Sequence, residues 1–233
     1  CRIFGERSEA ISPATRARIA LLIEGHVQYS YMTIAQIERF YSRFYPRWNR
    51  DAYYGLMELL KVAPRQRISR MSCGQRSQVA LGLILAQDAE LLVLDDFSMG
   101  LDPGYRRLFV EYLRDYARNG AKTVFLTSHI IQDMEKLVDD CIVMDYGRIL
   151  VQMPVRELLG SFARYTFTTG AAELPPIEGA FHPGVMNGRA ELFSFAPQRQ
   201  VEQALGGAGI VFDGLVRESL NLEDAFIGLT GKY

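Results

Sequence analysis

Residues 90–103 read "ELLVLDDFSMGLDP", and this stretch decides the fold. The run Leu91-Leu92-Val93-Leu94 is unbroken and apolar, and it ends in two adjacent carboxylates, Asp95 and Asp96. A third, Asp102, follows after a short loop that contains Gly100. Such a run predicts a strand buried on both faces, as the strands of parallel sheets are. In those sheets functional groups gather just beyond the carboxyl ends of the strands. Two like charges at such an end therefore mark a candidate site. The pair alone leaves one alternative open, a solvated turn with helix caps nearby.

The flanking sequence supports a parallel sheet. "RIALLIEG" (Arg18 to Gly25) predicts a second buried strand and "KTVFLTSH" (Lys122 to His129) a third. From Thr33 to about Lys61 the pattern is helical and rich in aromatics, Phe40, Tyr41, Phe44, Tyr45, Trp48, Tyr53 and Tyr54, and Pro46 divides it. "SCGQRSQVALGLILAQ" is a helix opened by Ser72, a good cap, and "GYRRLFVEYLRDYARNG" an amphipathic helix closed by Gly120. "IQDMEKLVDD" predicts a further helix, and "CIVMDYGRILVQ" a hairpin turning at Tyr146-Gly147. Strands alternating with helices argue for an α/β domain with a largely parallel sheet. After about Phe162 the texture changes to short strands ("YTFTTG", "AELFSFA", "GIVFDGLVRES"), two helices and a loop, "ELPPIEGAFHPG". The expected division is therefore 1–162 and a small α+β appendage, 163–233.

The chain has 233 residues and a net charge of -1, which gives no reason to expect a nucleic-acid partner. No apolar run in these residues approaches the roughly 20 that span a bilayer, and no signal peptide is expected. Cys1, Cys73 and Cys141 are odd in number and far apart, which favours a reducing compartment over a disulfide framework. His26, His129 and His182 show no metal-ligand spacing. The chain opens on Cys1 inside "CRIF", which reads as a strand, and residues upstream are expected.

Several short motifs stand in order. "MSCGQ" opens a helix whose N-terminal N–H groups suit an anion, and that helix leads into "LLVLDD", then "MGLD", then a strand ending in Ser128-His129. This ordered set resembles the nucleotide-binding subunit of ABC transporters. "MSCGQ" is similar to the signature loop, "LLVLDD" to the Walker B strand with its catalytic carboxylate, "MGLD" to the D-loop and "SH" to the switch histidine. "RIALLIEGHVQYSYMTIAQIERFYSRFYPRW" looks like the Q-loop and the helical subdomain, about 33–85, and resembles the bacterial ABC-2-type exporter branch.

The resemblance implies a P-loop NTPase-like fold, with ATP and Mg²⁺ as cofactors. Asp95 would hold the Mg²⁺ of MgATP, through water. Asp96 would polarise the attacking water, and His129 would touch the γ-phosphate. Glu24 stands where the Q-loop glutamine usually stands. Ser72, Cys73, Gly74 and Gln75 would cap the nucleotide of a second ATPase subunit, and Asp102 would cross that interface. A separate transmembrane permease subunit and a cytoplasmic place on the inner face of the membrane are implied. The chain departs from the family in four ways, one being Phe97-Ser98-Met99 where Pro-Thr-Ser is usual. No G-x-x-x-x-G-K-[ST] occurs in it, so a truncated chain and weak catalysis by the chain alone are expected. Asp96 replaces the usual Glu, and Cys73 the usual Gly. A non-catalytic nucleotide-binding partner, or an ABC ATPase working on ribosomes or DNA, are the other function classes. Read residue by residue, His129 could be a satisfied histidine, Glu24 a surface loop residue, Cys73 merely small and the aromatics core.

Overall fold

The computed structural model describes residues 1–23, 29–97, 101–118 and 122–231, without the side chain of residue 133. Two compact units divide the chain, residues 1–130 and 131–233.

In the first unit a tight hairpin, β1 (Arg2–Ile3) and β2 (Glu6–Arg7), turns at Phe4 and Gly5, both with positive φ. The carboxylate of Glu6 accepts hydrogen bonds from Ser12 N–H, Thr15 Oγ1 and Ser12 Oγ, which hold it below its ordinary pKa and tie the hairpin to α1 (Pro13–Arg16). Strand β3 (Ile19–Leu22) follows. The aromatic region then forms two helices, α2 (Ile34–Tyr41) and α3 (Arg50–Leu59). Thr33 opens α2 with a full capping box to Gln36, Asn49 caps α3, and Pro46 lies between them. Tyr53 is fully buried and donates to Ile34 O at 3.1 Å; burial raises its phenol pKa. Glu38, also buried, accepts from Trp48 Nε1 at 3.0 Å and Tyr54 Oη at 3.4 Å.

Helix α4 (Cys73–Ala86) packs along α3, and Gly82 makes room for Met57 and Tyr53, which a Cβ there would meet at 3.1 and 3.2 Å. Next come β4 (Leu91–Asp95), α5 (Pro103–Arg118) and β5 (Thr123–Thr127). Gly120, the expected closing residue of α5, lies outside the described residues. Strands β3, β4 and β5 form a parallel sheet with β4 central, Leu22 in register with Leu94 and Asp95 with Thr127.

Burial on both faces, expected for these strands, does not hold. Ala20, Leu22, Leu92 and Leu94 are buried, each leucine contributing roughly 1.5–3 kcal/mol. Leu21 and Phe125 alternate with them on the other face and are 53% and 55% exposed. Helix α4 packs against this sheet, and among the described residues nothing comparable covers Leu21 and Phe125. At the amino end of the sheet Arg18 makes two hydrogen bonds to Glu90, at 2.7 and 3.0 Å, holding the Glu90 carboxyl below its ordinary range.

The second unit begins with a correction. "IQDMEKLVDD" forms no α-helix; a 3₁₀ turn at Ile131–Asp133 is followed by further turns. The polar side chains of this stretch go to α8 (Leu222–Thr230) instead: Glu135 accepts from Leu222 N–H at 3.0 Å, and Gln132 donates to Glu223 at 2.8 Å. The hairpin of β6 (Asp140–Asp145) and β7 (Arg148–Pro154) turns at Tyr146 and Gly147, whose φ of 43° and 75° are those a two-residue primed turn needs.

After α6 (Val155–Ser161), strands β8 (Ala163–Thr169), β9 (Ala180–Met186), β10 (Arg189–Ser194) and β11 (Phe212–Ser219) pair antiparallel in the order β11-β8-β10-β9, and α7 (Gln198–Gly207) packs against β11. Ala163, Tyr165, Phe167, Leu192, Val201 and Leu205 form the core. Part of the expected loop "ELPPIEGAFHPG" is strand β9, which tolerates Pro183 because β9 is an edge strand with an irregular register opposite Glu191 and Phe193. Phe162, where the domain boundary was expected, is fully buried inside this unit and packs on Phe195 at 4.6 Å.

Candidate functional site

The first unit brings Asp95, Asp96 and His129 together at the carboxyl ends of two adjacent parallel strands. Asp95 is the last residue of β4 and sits opposite Thr127, the last of β5. The hydroxyl of Thr127 donates to Asp95 Oδ1 at 2.7 Å. Thr127 Oγ1 in turn accepts the N–H of Asp96 at 3.1 Å, and the Thr127 carbonyl also accepts it, at 3.2 Å. The chain then turns sharply, with Asp96 at φ 43°. Aspartate and asparagine are the side chains that visit this left-handed region most readily. The backbone thus gives a physical reason for the shorter acid at 96. His129, two residues beyond Thr127, places Nδ1 2.7 Å from Asp96 Oδ2. Asp96 Oδ1 is buried without a hydrogen-bond partner among the described residues.

These residues fit a magnesium site of the kind that leans on bound phosphate. Among the described residues no group of three or more His, Cys, Asp or Glu could hold a metal by itself. Magnesium needs only one or two protein carboxylates, keeping waters and taking phosphate oxygens for the rest. Asp95 supplies one such carboxylate, oriented by Thr127. The orphaned Asp96 Oδ1 is an acceptor suited to a water.

Ser72, Cys73, Gly74, Gln75 and Asp102 form a second group, built around two helix starts. Ser72 Oγ accepts from Gln75 N–H at 3.2 Å, and Gln75 Oε1 accepts from Ser72 N–H at 3.1 Å, a complete capping box for α4. Cys73 is exposed and free. Asp102 Oδ1 accepts from Gly104 N–H at 3.0 Å and Tyr105 N–H at 3.1 Å, capping α5. The two helix starts meet at Tyr105. A Cβ at Gly74 would lie 2.8 Å from the Tyr105 ring, and Gln78, fully buried, donates to Tyr105 O at 3.1 Å. Glu24 lies outside the described residues, as do Met99 and Gly100 of the "MGLD" stretch.

The sequence reading overlooked Thr127, Tyr105 and Gln78. For Thr127 a signal existed: a hydroxyl residue at the end of the strand next to the acidic one, two positions before the histidine. Tyr105 and Gln78 carried none, because their roles depend on how α4 crosses α5.

Residues 30–132 match the profile of the family described as "AAA domain, putative AbiEii toxin, Type IV TA system". The chain is 29% identical to Nod factor export ATP-binding protein I of Rhizobium meliloti over 94% of its own length and 69% of that protein's. It is 26% identical to the protein of the same name from Sinorhizobium fredii over 99% and 69%. Against the same-named protein of Cupriavidus metallidurans it shows 29% identity over 76% and 60%. A solved ATP-binding subunit of an ABC transporter shares the fold, with a TM-score of 0.59 at 20% identity, over 67% of each chain. Relatives, fold and the order of the motifs along the sequence agree in one likeness, to the ATP-binding subunits of ABC transporters.

Proposed function

We propose that the chain is part of the ATP-hydrolysing motor of an ABC exporter of the ABC-2 type, pairing with a second ATPase subunit and driving a separate membrane permease. The observation that carries this is the cluster of Asp95, Asp96, Thr127 and His129 at adjacent parallel strand ends. Relatives named for Nod factor export support an export role. The described residues include no helix long and apolar enough to cross a membrane, so a membrane path would come from a partner.

When bound, Mg²⁺ neutralises phosphate charge and orients the terminal phosphate. Asp95 would hold it, in the main through water, with Oδ1 already engaged by Thr127. Asp96 would accept a proton from the attacking water through the oxygen that lacks a partner among the described residues. His129 would leave Asp96 for the γ-phosphate. Ser72, Cys73, Gly74 and Gln75 would cap the nucleotide of the second subunit at the α4 N-terminus, where N–H groups point outward. Asp102 would cross the dimer interface and Glu24 would lie near the metal. No P-loop motif occurs in the 233 residues, so a phosphate cradle for this site would have to be supplied from outside them. The helical subdomain, about Thr33 to Lys61, would carry the permease contact; there Phe44 is 60% exposed while Tyr53 is buried.

Phosphate release tests the proposal. In the assembled ATPase, with its P-loop in place, Asp95→Asn should weaken Mg²⁺-dependent nucleotide binding and turnover together. The 233-residue chain by itself should release no phosphate. Appreciable release by that chain, abolished by Asp95→Ala, would overturn the need for an outside cradle.

A further inference from the structure

A threonine hydroxyl has one proton to give and two lone pairs to receive with. At Thr127 the proton goes to Asp95 Oδ1 at 2.7 Å, and a lone pair takes the Asp96 N–H at 3.1 Å. One side chain thus holds the carboxylate of the first acid and the backbone of the second. That backbone is the strained point, with Asp96 at φ 43°. The carboxylate it aims meets His129, on the same chain segment as Thr127.

We infer that Thr127 is a positioning residue for the metal and the water. Its hydroxyl engages one oxygen of Asp95 and so presents the other to the metal. Its grip on the Asp96 N–H keeps that residue in the turn that points its carboxylate toward His129. The inference rests on the ATPase reading of the acidic pair. Nothing in it requires Thr127 to touch substrate. Thr127 acts by restricting where two carboxylates can be, which matters because small misplacements of reacting groups cost large factors in rate.

Thr127→Val keeps the β-branched shape that suits a strand and removes both hydrogen bonds, whereas Thr127→Ser keeps the hydroxyl. The probe is Mn²⁺ in place of Mg²⁺, titrated with ATP present and read by electron paramagnetic resonance in the assembled ATPase. Hydrogen bonds to charged groups being what they are, Thr127→Val should weaken Mn²⁺ binding about 10-fold and slow turnover by at least as much. Thr127→Ser should stay close to the parent in both. Melting temperatures of the two variants should agree, which separates positioning from folding. Mn²⁺ binding by Thr127→Val equal to the parent's overturns the inference, and so does Thr127→Ser as weak as Thr127→Val. Asp95→Asn measured alongside keeps the two layers apart. If it leaves Mn²⁺ binding unchanged, the reading of the acidic pair fails. If it weakens binding while Thr127→Val does not, only the role of Thr127 fails. On an Asp95→Asn background Thr127→Val should add little to the loss of Mn²⁺, and a full second 10-fold loss counts against the inference.

Discussion

The parallel sheet β3-β4-β5 and the antiparallel sheet β11-β8-β10-β9 place polar side chains by different rules. In the antiparallel sheet polar and apolar residues alternate along the central strand β8. Tyr165 and Phe167 are buried, while Arg164 lies opposite Glu218 across the sheet and pairs with it at 2.6 Å. Its polar groups are spent on cross-strand pairs. In the parallel sheet the strands are apolar along their length, and the polar groups wait until the chain leaves the sheet. Two neighbouring exits then place Asp95, Asp96, Thr127 and His129 in one spot. Chemistry therefore concentrates where parallel strands end, and an antiparallel face distributes its charges into structure.

Substitutions can break this contrast. Asp96→Asn has the largest expected effect, a loss of about 10²–10⁴ in turnover with ATP binding kept, read as kcat and bound nucleotide in the assembled ATPase. Asparagine accepts positive φ, so the fold should be untouched, and turnover equal to the parent's would remove Asp96 as the base. Leu192→Ala should do the reverse. It opens a cavity in the core of the antiparallel unit, costs about 2–5 kcal/mol in denaturant unfolding, and leaves kcat alone.

Asp96→Glu is smaller and sharper. Glutamate is the family's usual acid, but at φ 43° a longer side chain without aspartate's local hydrogen bonding costs about 1 kcal/mol. Turnover should fall several-fold, and a faster enzyme would mean that reach, not backbone, limits the native site. The smallest effect concerns acid. The Arg164 hydrogen bond holds Glu218 below its ordinary 4.5. Its stabilisation is complete above pH 4.5 and disappears as pH falls through the lowered value. The melting difference between the parent and Glu218→Gln should therefore be constant near neutrality and vanish in more acidic buffer.

Local signals were legible in the sequence. Ser72 announced a helix start, Thr33 the beginning of a helical stretch, Tyr146-Gly147 a turn, and Leu91–Leu94 a strand ending in a candidate site. Features set by distant neighbours were not. Pro183 argued against a strand, and only its edge position permits one. The apolar strand β5 promised burial, yet Phe125 is exposed, because hydropathy records what could be covered and not what is. The left-handed turn at Asp96 could not be seen either, since an aspartate after a strand is compatible with many backbones. That Gln75 and Asp102 also serve helix starts emerged only with the helices in place: Gln75 bonds back to Ser72, and Asp102 holds α5.

The closeness of Gly74 to the ring of Tyr105 has a genetic consequence. Any side chain at 74 must displace that ring, so Gly74→Ala damages its own chain before a nucleotide is involved. Second-site revertants selected on Gly74→Ala should fall at codon 105 and encode smaller side chains. Gly74→Asp has the same clash and would add a charge at the proposed nucleotide face, so the same codon should relieve it only in part. The two alleles would thus sort by their suppressors, one cured by making room and the other only in part.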